Sequence, residues 1–204
     1  REVMPGVHEL TEAHRAGRLP IDQVRSLVFD AVGRGYHLLL GLRRHRDWTA
    51  IRPRAFAAAL DGLLRAYRLV IADVDADIEG EELTGSLDVE DRNAMARTTL
   101  TRADLVVVVG NPTTKGIHAL TRTIRDLLGA DIAPERIVPV LSRAPRSPRR
   151  RADAVAALAT LLGRDDVAAS IGNPVFLAER SDVEDAIRDG VRLPPALGKS
   201  LHLE

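Results

Sequence analysis

Cysteine is absent from this 204-residue sequence, which excludes disulfides and thiol chemistry and is compatible with a cytoplasmic setting. Net charge is also absent: 29 basic residues balance 29 acidic ones, so bulk charge draws the chain to neither nucleic acid nor acidic surfaces. Lysine is nearly missing, at Lys115 and Lys199 only, a bias more readily ascribed to base composition than to mechanism. No apolar run approaches the roughly 20 residues that span a bilayer. Arg1-Glu2-Val3-Met4-Pro5 is not followed by the apolar segment of a signal peptide. There is no internal repeat. The chain begins with Arg1 and ends with Glu204, and both ends read as cut. What remains is 45% apolar content, enough for one substantial core, so residues 1–204 are expected to form a single domain.

The most informative stretch is Leu69-Val70-Ile71-Ala72-Asp73. A short unbroken apolar run suits a strand buried on both faces of a parallel sheet. Such a strand would deliver Asp73 to the carboxyl edge, where open α/β folds bind ligands and a magnesium–nucleotide site needs a carboxylate. Asp73, Asp75, Asp77, Glu79, Glu81 and Glu82 then place six carboxylates within ten residues. Their repulsion is relieved by water or by a cation. A calcium loop aligned on Asp75, Asp77 and Glu79 fails, because Ser86 falls where a bidentate Glu is required and a strand rather than a helix precedes it. The competing reading is a solvated acidic loop.

The rest of the chain alternates helices and strands. Helices are expected over Val7 to Ala16, from Pro20, over Arg54 to Tyr67 (Phe56, Leu60, Leu63 and Leu64 inward) and over Val89 to Arg102. Further helices are expected over Lys115 to Leu128 and Ala152 to Leu162, with a last one opened by Ser181 and stopped at Gly190. Val28 to Asp30, Tyr36 to Gly41 and Pro174 to Ala178 read as strands. Leu105 to Val109, β-branched and uncharged, reads as the most deeply buried one. Ile137 to Leu141 is another, with Pro139 predicting a bulged or peripheral position. His8, Glu9 and His14 superficially suggest a zinc helix, but the histidines lie on opposite faces. Arg43 to Trp48 reads as a solvated run with an indole at the core edge. Ala144 to Arg151 reads as a basic, proline-broken loop; Arg146, Arg149, Arg150 and Arg151 are candidates for DNA or phosphate contact, against a solvated alternative. Together these elements predict a doubly wound, mostly parallel α/β fold with helices on both faces.

From Asp73 onward, the ordered motifs resemble the MinD/ParA P-loop ATPases with a deviant Walker A motif. Leu69 to Asp73 resembles their Walker B strand, whose acid holds the water shell of magnesium. Ala103-Asp104-Leu105 to Val109, followed by Asn111-Pro112, resembles their strand and Asn-Pro loop. Ile137 to Ser142-Arg143 resembles the strand whose Asn-Arg end approaches adenine. Asn173-Pro174-Val175 through Asp182, Val183, Ala186 and Gly190 resembles the closing segment. The likeness covers about residues 50–195 and is greatest toward the septum-site-determining and CpaE/TadZ pilus-localisation branch.

The resemblance implies that Asp73, Asp75, Asp77, Asn111, Pro112, Ser142 and Arg143 contribute to binding ATP and Mg2+, with Asp73 on the metal through water. It implies spatial positioning of septum, pilus or secretion machinery, with a homodimer expected. There are departures. No Gly-Lys-Gly-Gly-x-Gly-Lys-Thr/Ser occurs, so an N-terminal strand, phosphate loop and helix are expected to lie outside these residues. ATPase activity is therefore expected of the full-length protein and not of residues 1–204 alone. Asp77 stands where the family's switch loop has glycine, and Ser142 where it has asparagine. Both favour a second reading, a non-catalytic dimeric scaffold of the same fold. A third is a DNA-binding module using Arg146 and Arg149 to Arg151.

Overall fold

The computed structural model describes residues 5–32, 34–163 and 170–195. The chain forms two compact units, Arg1–Arg102 and Ala103–Glu204.

In the first unit, α1 (Val7–Arg15), α2 (Ile21–Ser26) and α3 (Pro53–Ala66) surround a core of Leu10, Val24, Ala59 and Ala66. Proline at the first helical position of α3 pre-sets the backbone, and the alanines behind it favour helix. Its buried face is Ala59, Leu60, Gly62 and Ala66, whereas Leu64 points outward, contrary to the expected stripe. Gly62 is required by proximity: a Cβ there would lie 2.6 Å from Nε2 of the buried His14. His14 is thus a packing residue, its Nδ1 2.9 Å from the Leu10 carbonyl. Glu9 caps α1, accepting the Gly6 N–H at 2.8 Å, and pairs with Arg43 at 3.0 Å. An antiparallel hairpin of β1 (Phe29–Ala31) and β2 (Tyr36–Leu38) turns through Gly35, whose φ of 78° glycine adopts without strain. A short 3-10 turn (His45–Ala50) precedes α3; α4 (Glu81–Thr84) and α5 (Leu87–Arg102) complete the unit.

The expected buried strand at Leu69 to Ala72 does not form. These residues have no regular secondary structure, Leu69 and Ile71 are 76% and 86% exposed, and Asp73 is exposed as well. A strand is defined by its partner, and no described segment pairs with this one.

The second unit carries a three-stranded parallel sheet in the order β3 (Val106–Gly110), β4 (Ile137–Ala144), β5 (Val175–Ala178). Helices α6 (Thr114–Gly129), α7 (Pro148–Leu162) and α8 (Ser181–Arg188) accompany it. This is the expected α/β class. Ile117, Leu120, Ile124 and Leu127 form the buried stripe of α6, at the predicted spacing.

Two strands differ from expectation. β3 lies at the edge of this sheet: Val106 and Val108 are buried, but Val107 and Val109 are 52% and 63% exposed. β4, which contains Pro139, is central rather than peripheral. Pro139 pairs in register with Val108, and pairing with β5 begins only at Val140, after the imide nitrogen that could not donate. The irregularity lies later, between Leu141 and Ala144. The first turn of α7 holds Arg149, Arg150 and Arg151, which sequence alone leaves in a loop. Arg180, not Ser181, occupies the N-cap of α8.

Candidate functional site

Parallel strands bring their carboxyl ends, and the loops that follow, to one edge. After β3 the chain runs Asn111-Pro112-Thr113 into α6. The Asn111 carboxamide oxygen accepts the Thr113 N–H at 3.2 Å and its hydroxyl at 2.5 Å, and the Thr113 hydroxyl oxygen accepts the Gly116 N–H at 3.1 Å. The helix start is therefore capped by side chains. Gly116 makes room for this: a Cβ there would be 2.2 Å from Asn111 Oδ1 and 2.3 Å from its carbonyl oxygen. Asn111 is thus occupied in shaping the loop.

At the end of β4, the Ser142 hydroxyl donates to the Gly110 carbonyl at 3.0 Å and ties the two strand ends together. Arg143 follows at φ 51°, a left-handed conformation that a non-glycine residue adopts at some strain. Among the described residues its one close carboxylate is Glu184, 3.7 Å away with both side chains largely exposed, a weak pair.

Beside this edge lies a cavity of about 900 Å³. Pro112, Ile117, Ala154 and Leu161 give it apolar wall; Arg143, Arg146 and Arg150 give it cations. Asp153, Glu179 and Ser181 add acceptors. The size lies in the range of small-molecule sites. The four arginines expected to contact phosphate are thus separated. Arg146 and Arg150 line the cavity. Arg151 is used internally: its Nε donates to the Pro145 carbonyl at 2.8 Å and its guanidinium lies 5.2 Å from the Phe176 ring centre. Arg149 is exposed and does not line the cavity. Sequence reading missed Asp153 and Glu179; Asp153 stands three residues after Arg150, a spacing that shares a helix face once α7 is known to begin at Pro148.

The acidic loop belongs to the first unit and is tied to its own helix. Asp75 Oδ1 accepts the Asp77 N–H at 3.0 Å. Asp77 pairs with Arg92 at 2.5 Å and accepts from the Asn93 amide at 3.0 Å, while Asn93 also donates to the Glu79 carbonyl. Arg97 donates to the Ile78 carbonyl at 2.9 Å and pairs with Glu82. Hydrogen bonds from its own backbone N–H and from Arg97 hold the Glu82 carboxyl below the ordinary carboxylate value. Among the described residues no three His, Cys, Asp or Glu side chains gather as a metal cluster. Magnesium held by one carboxylate would have to arrive with substrate phosphates.

The second unit is a parallel sheet flanked by helices, with loops converging on its carboxyl edge. A ParA family ATPase from Chlorobium tepidum TLS, known from its crystal structure, is similar with a TM-score of 0.64 and 16% identity, over 100% of this chain and 78% of that one. At this identity the likeness concerns fold. No protein-family model matches the sequence. No curated protein matches it. Among the described residues no helix is long and apolar enough to cross a membrane.

Proposed function

We propose that this chain is the greater part of a MinD/ParA-like nucleotide-binding protein, in which the cavity beside β3 and β4 receives the nucleoside end of ATP. The observation that carries this reading is the position of that cavity, at the carboxyl edge of a parallel sheet, lined by Pro112 and Arg143. Its apolar walls suit a base, and its polar rim suits ribose and amine groups. Asn111 and Ser142 act indirectly, by holding the loop and the two strand ends.

The residues present fit a nucleoside better than a triphosphate, since the sequence contains no glycine-rich cradle. The full-length protein in this reading carries an N-terminal strand, phosphate loop and helix. Support comes from the edge of β3, which has no strand partner among the described residues, and from exposed Leu69, Ile71, Val107 and Val109, apolar surface of a kind that proteins ordinarily cover. When bound, magnesium neutralises phosphate charge, and Asp73 would hold its water shell. The cellular role is positioning of septum, pilus or secretion machinery by a cytoplasmic homodimer.

A second reading, a dimeric scaffold without nucleotide turnover, draws on Asp77. Its carboxylate is paired with Arg92 and Asn93, so the loop is held without a phosphate. Calorimetric titration of the full-length protein with ATP and magnesium separates the two. Binding abolished by Asp73→Ala supports the first; absence of heat at every concentration supports the second.

A further inference from the structure

Three arginines in one small-molecule cavity exceed what a neutral nucleoside requires. Arg146 and Arg150 have no carboxylate partner among the described residues, and Arg143 has only the weak contact to Glu184. Asp153 and Glu179, which line the same space, are not paired with them. The first turn of α7 contains no acid, so Arg150 adds its charge to the positive end of the helix. Mutual repulsion of such groups falls when an anion sits between them. Guanidinium forks match phosphate oxygens in geometry as well as charge.

We propose that Arg143, Arg146 and Arg150 clamp a phosphate group inside this cavity, so that the ligand is phosphorylated at its nucleoside end. The inference rests on the nucleotide reading above and narrows it to nucleotides bearing a further phosphate on the ribose. Concavity is the reason to prefer a small ligand over DNA. Two of the arginines line a concave site and Arg151 is engaged with Pro145 and Phe176, which leaves Arg149 alone for a convex duplex. Asp153 and Glu179 then serve as acceptors for base or sugar donors, which a bare anion site would not need.

The test is calorimetric titration of the full chain, at low salt, with adenosine, pyrophosphate, adenosine 3′,5′-bisphosphate and ATP. The bisphosphate is expected to bind at least about tenfold tighter than adenosine, about 1.4 kcal/mol. Arg146→Gln with Arg150→Gln removes that gain, and Arg149→Gln leaves it. Pyrophosphate binding as tightly as the bisphosphate keeps the clamp and makes free polyphosphate the source of the anion. Equal binding of adenosine and bisphosphate overturns the clamp, even if ATP with magnesium binds and the nucleotide reading stands. Pyrophosphate held through Arg146 and Arg150 while no nucleotide binds keeps the clamp and removes the nucleotide reading. Duplex DNA bound with a steep salt dependence, and weakened as much by Arg149→Gln as by the cavity pair, overturns it in favour of nucleic acid.

Discussion

Leu69 to Asp73 and Val106 to Gly110 are nearly the same chemistry: a short apolar run that ends in a loop rich in hydrogen-bonding side chains. One becomes β3 and the other becomes no strand at all. β3 has β4 beside it, in parallel register from Val106↔Ile137 to Gly110↔Leu141, which gives its backbone a ladder on that side. Leu69 to Asp73 has no such neighbour among the described residues. Apolar content supplies the tendency to be a strand; the partner decides whether the tendency is realised. Even β3 is paired on one side only, and Val107 and Val109 stay exposed because they point to the sheet face that no described element covers there.

The contrast can be tested by truncating each run's surroundings. Leu141→Ala removes a fully buried side chain from the central strand and is expected to cost about 3 kcal/mol in denaturant unfolding, whereas Ile71→Ala should stay within about 0.5 kcal/mol. An equal loss at Ile71 would show that the first run is paired in solution after all. The loop after β3 comes next. Gly116→Ala, forced against Asn111, is expected to cost about 2 kcal/mol, while Gly129→Ala near the other end of α6, with open space around it, is neutral or stabilising.

For the loop after the unpaired run, Asp77→Ala should cost about 1 kcal/mol, because it removes one acceptor each from Arg92 and Asn93. Asp73 makes no side-chain hydrogen bond or ion pair among the described residues, so Asp73→Ala should leave the melting temperature unchanged while abolishing any magnesium-dependent nucleotide binding. The smallest effect is on pH dependence. Partial burial pushes the Glu9 carboxyl up, but hydrogen bonds from the Glu9 and Gly6 N–H groups, with Arg43 and His8 nearby, outweigh it and hold it low. Hydrogen bonding to Arg180 likewise lowers Asp182. A carboxylate lowered by folding contributes stability above its unfolded pKa and loses that contribution as pH falls through the folded value. Stability should therefore decline below the ordinary carboxylate range of about 4, and Glu9→Gln should flatten part of that decline in melts recorded from pH 7 to 3.

The helices were legible because their information is local. The stripe of α6 is written in the spacing of Ile117, Leu120, Ile124 and Leu127, and the stop of α8 in Gly190 at φ 68°. The carboxyl-edge loops were legible for the same reason, since each follows an apolar run at a readable place. The cavity was legible only in part: Pro112, Arg143, Arg146 and Arg150 could be named, but Asp153 and Glu179 reach it at positions that depend on tertiary packing.

What the amino-acid sequence determined by itself is the α/β class, the places of the long helices and the succession of apolar runs, because periodicity, capping and backbone restriction act over a few residues. Tertiary structure alone decided that the strand with proline would be central, that the valine-rich strand would be an edge, and which arginines would face a cavity. Those outcomes depend on hydrogen-bond partners distant in the chain, and no local pattern records who the partner is.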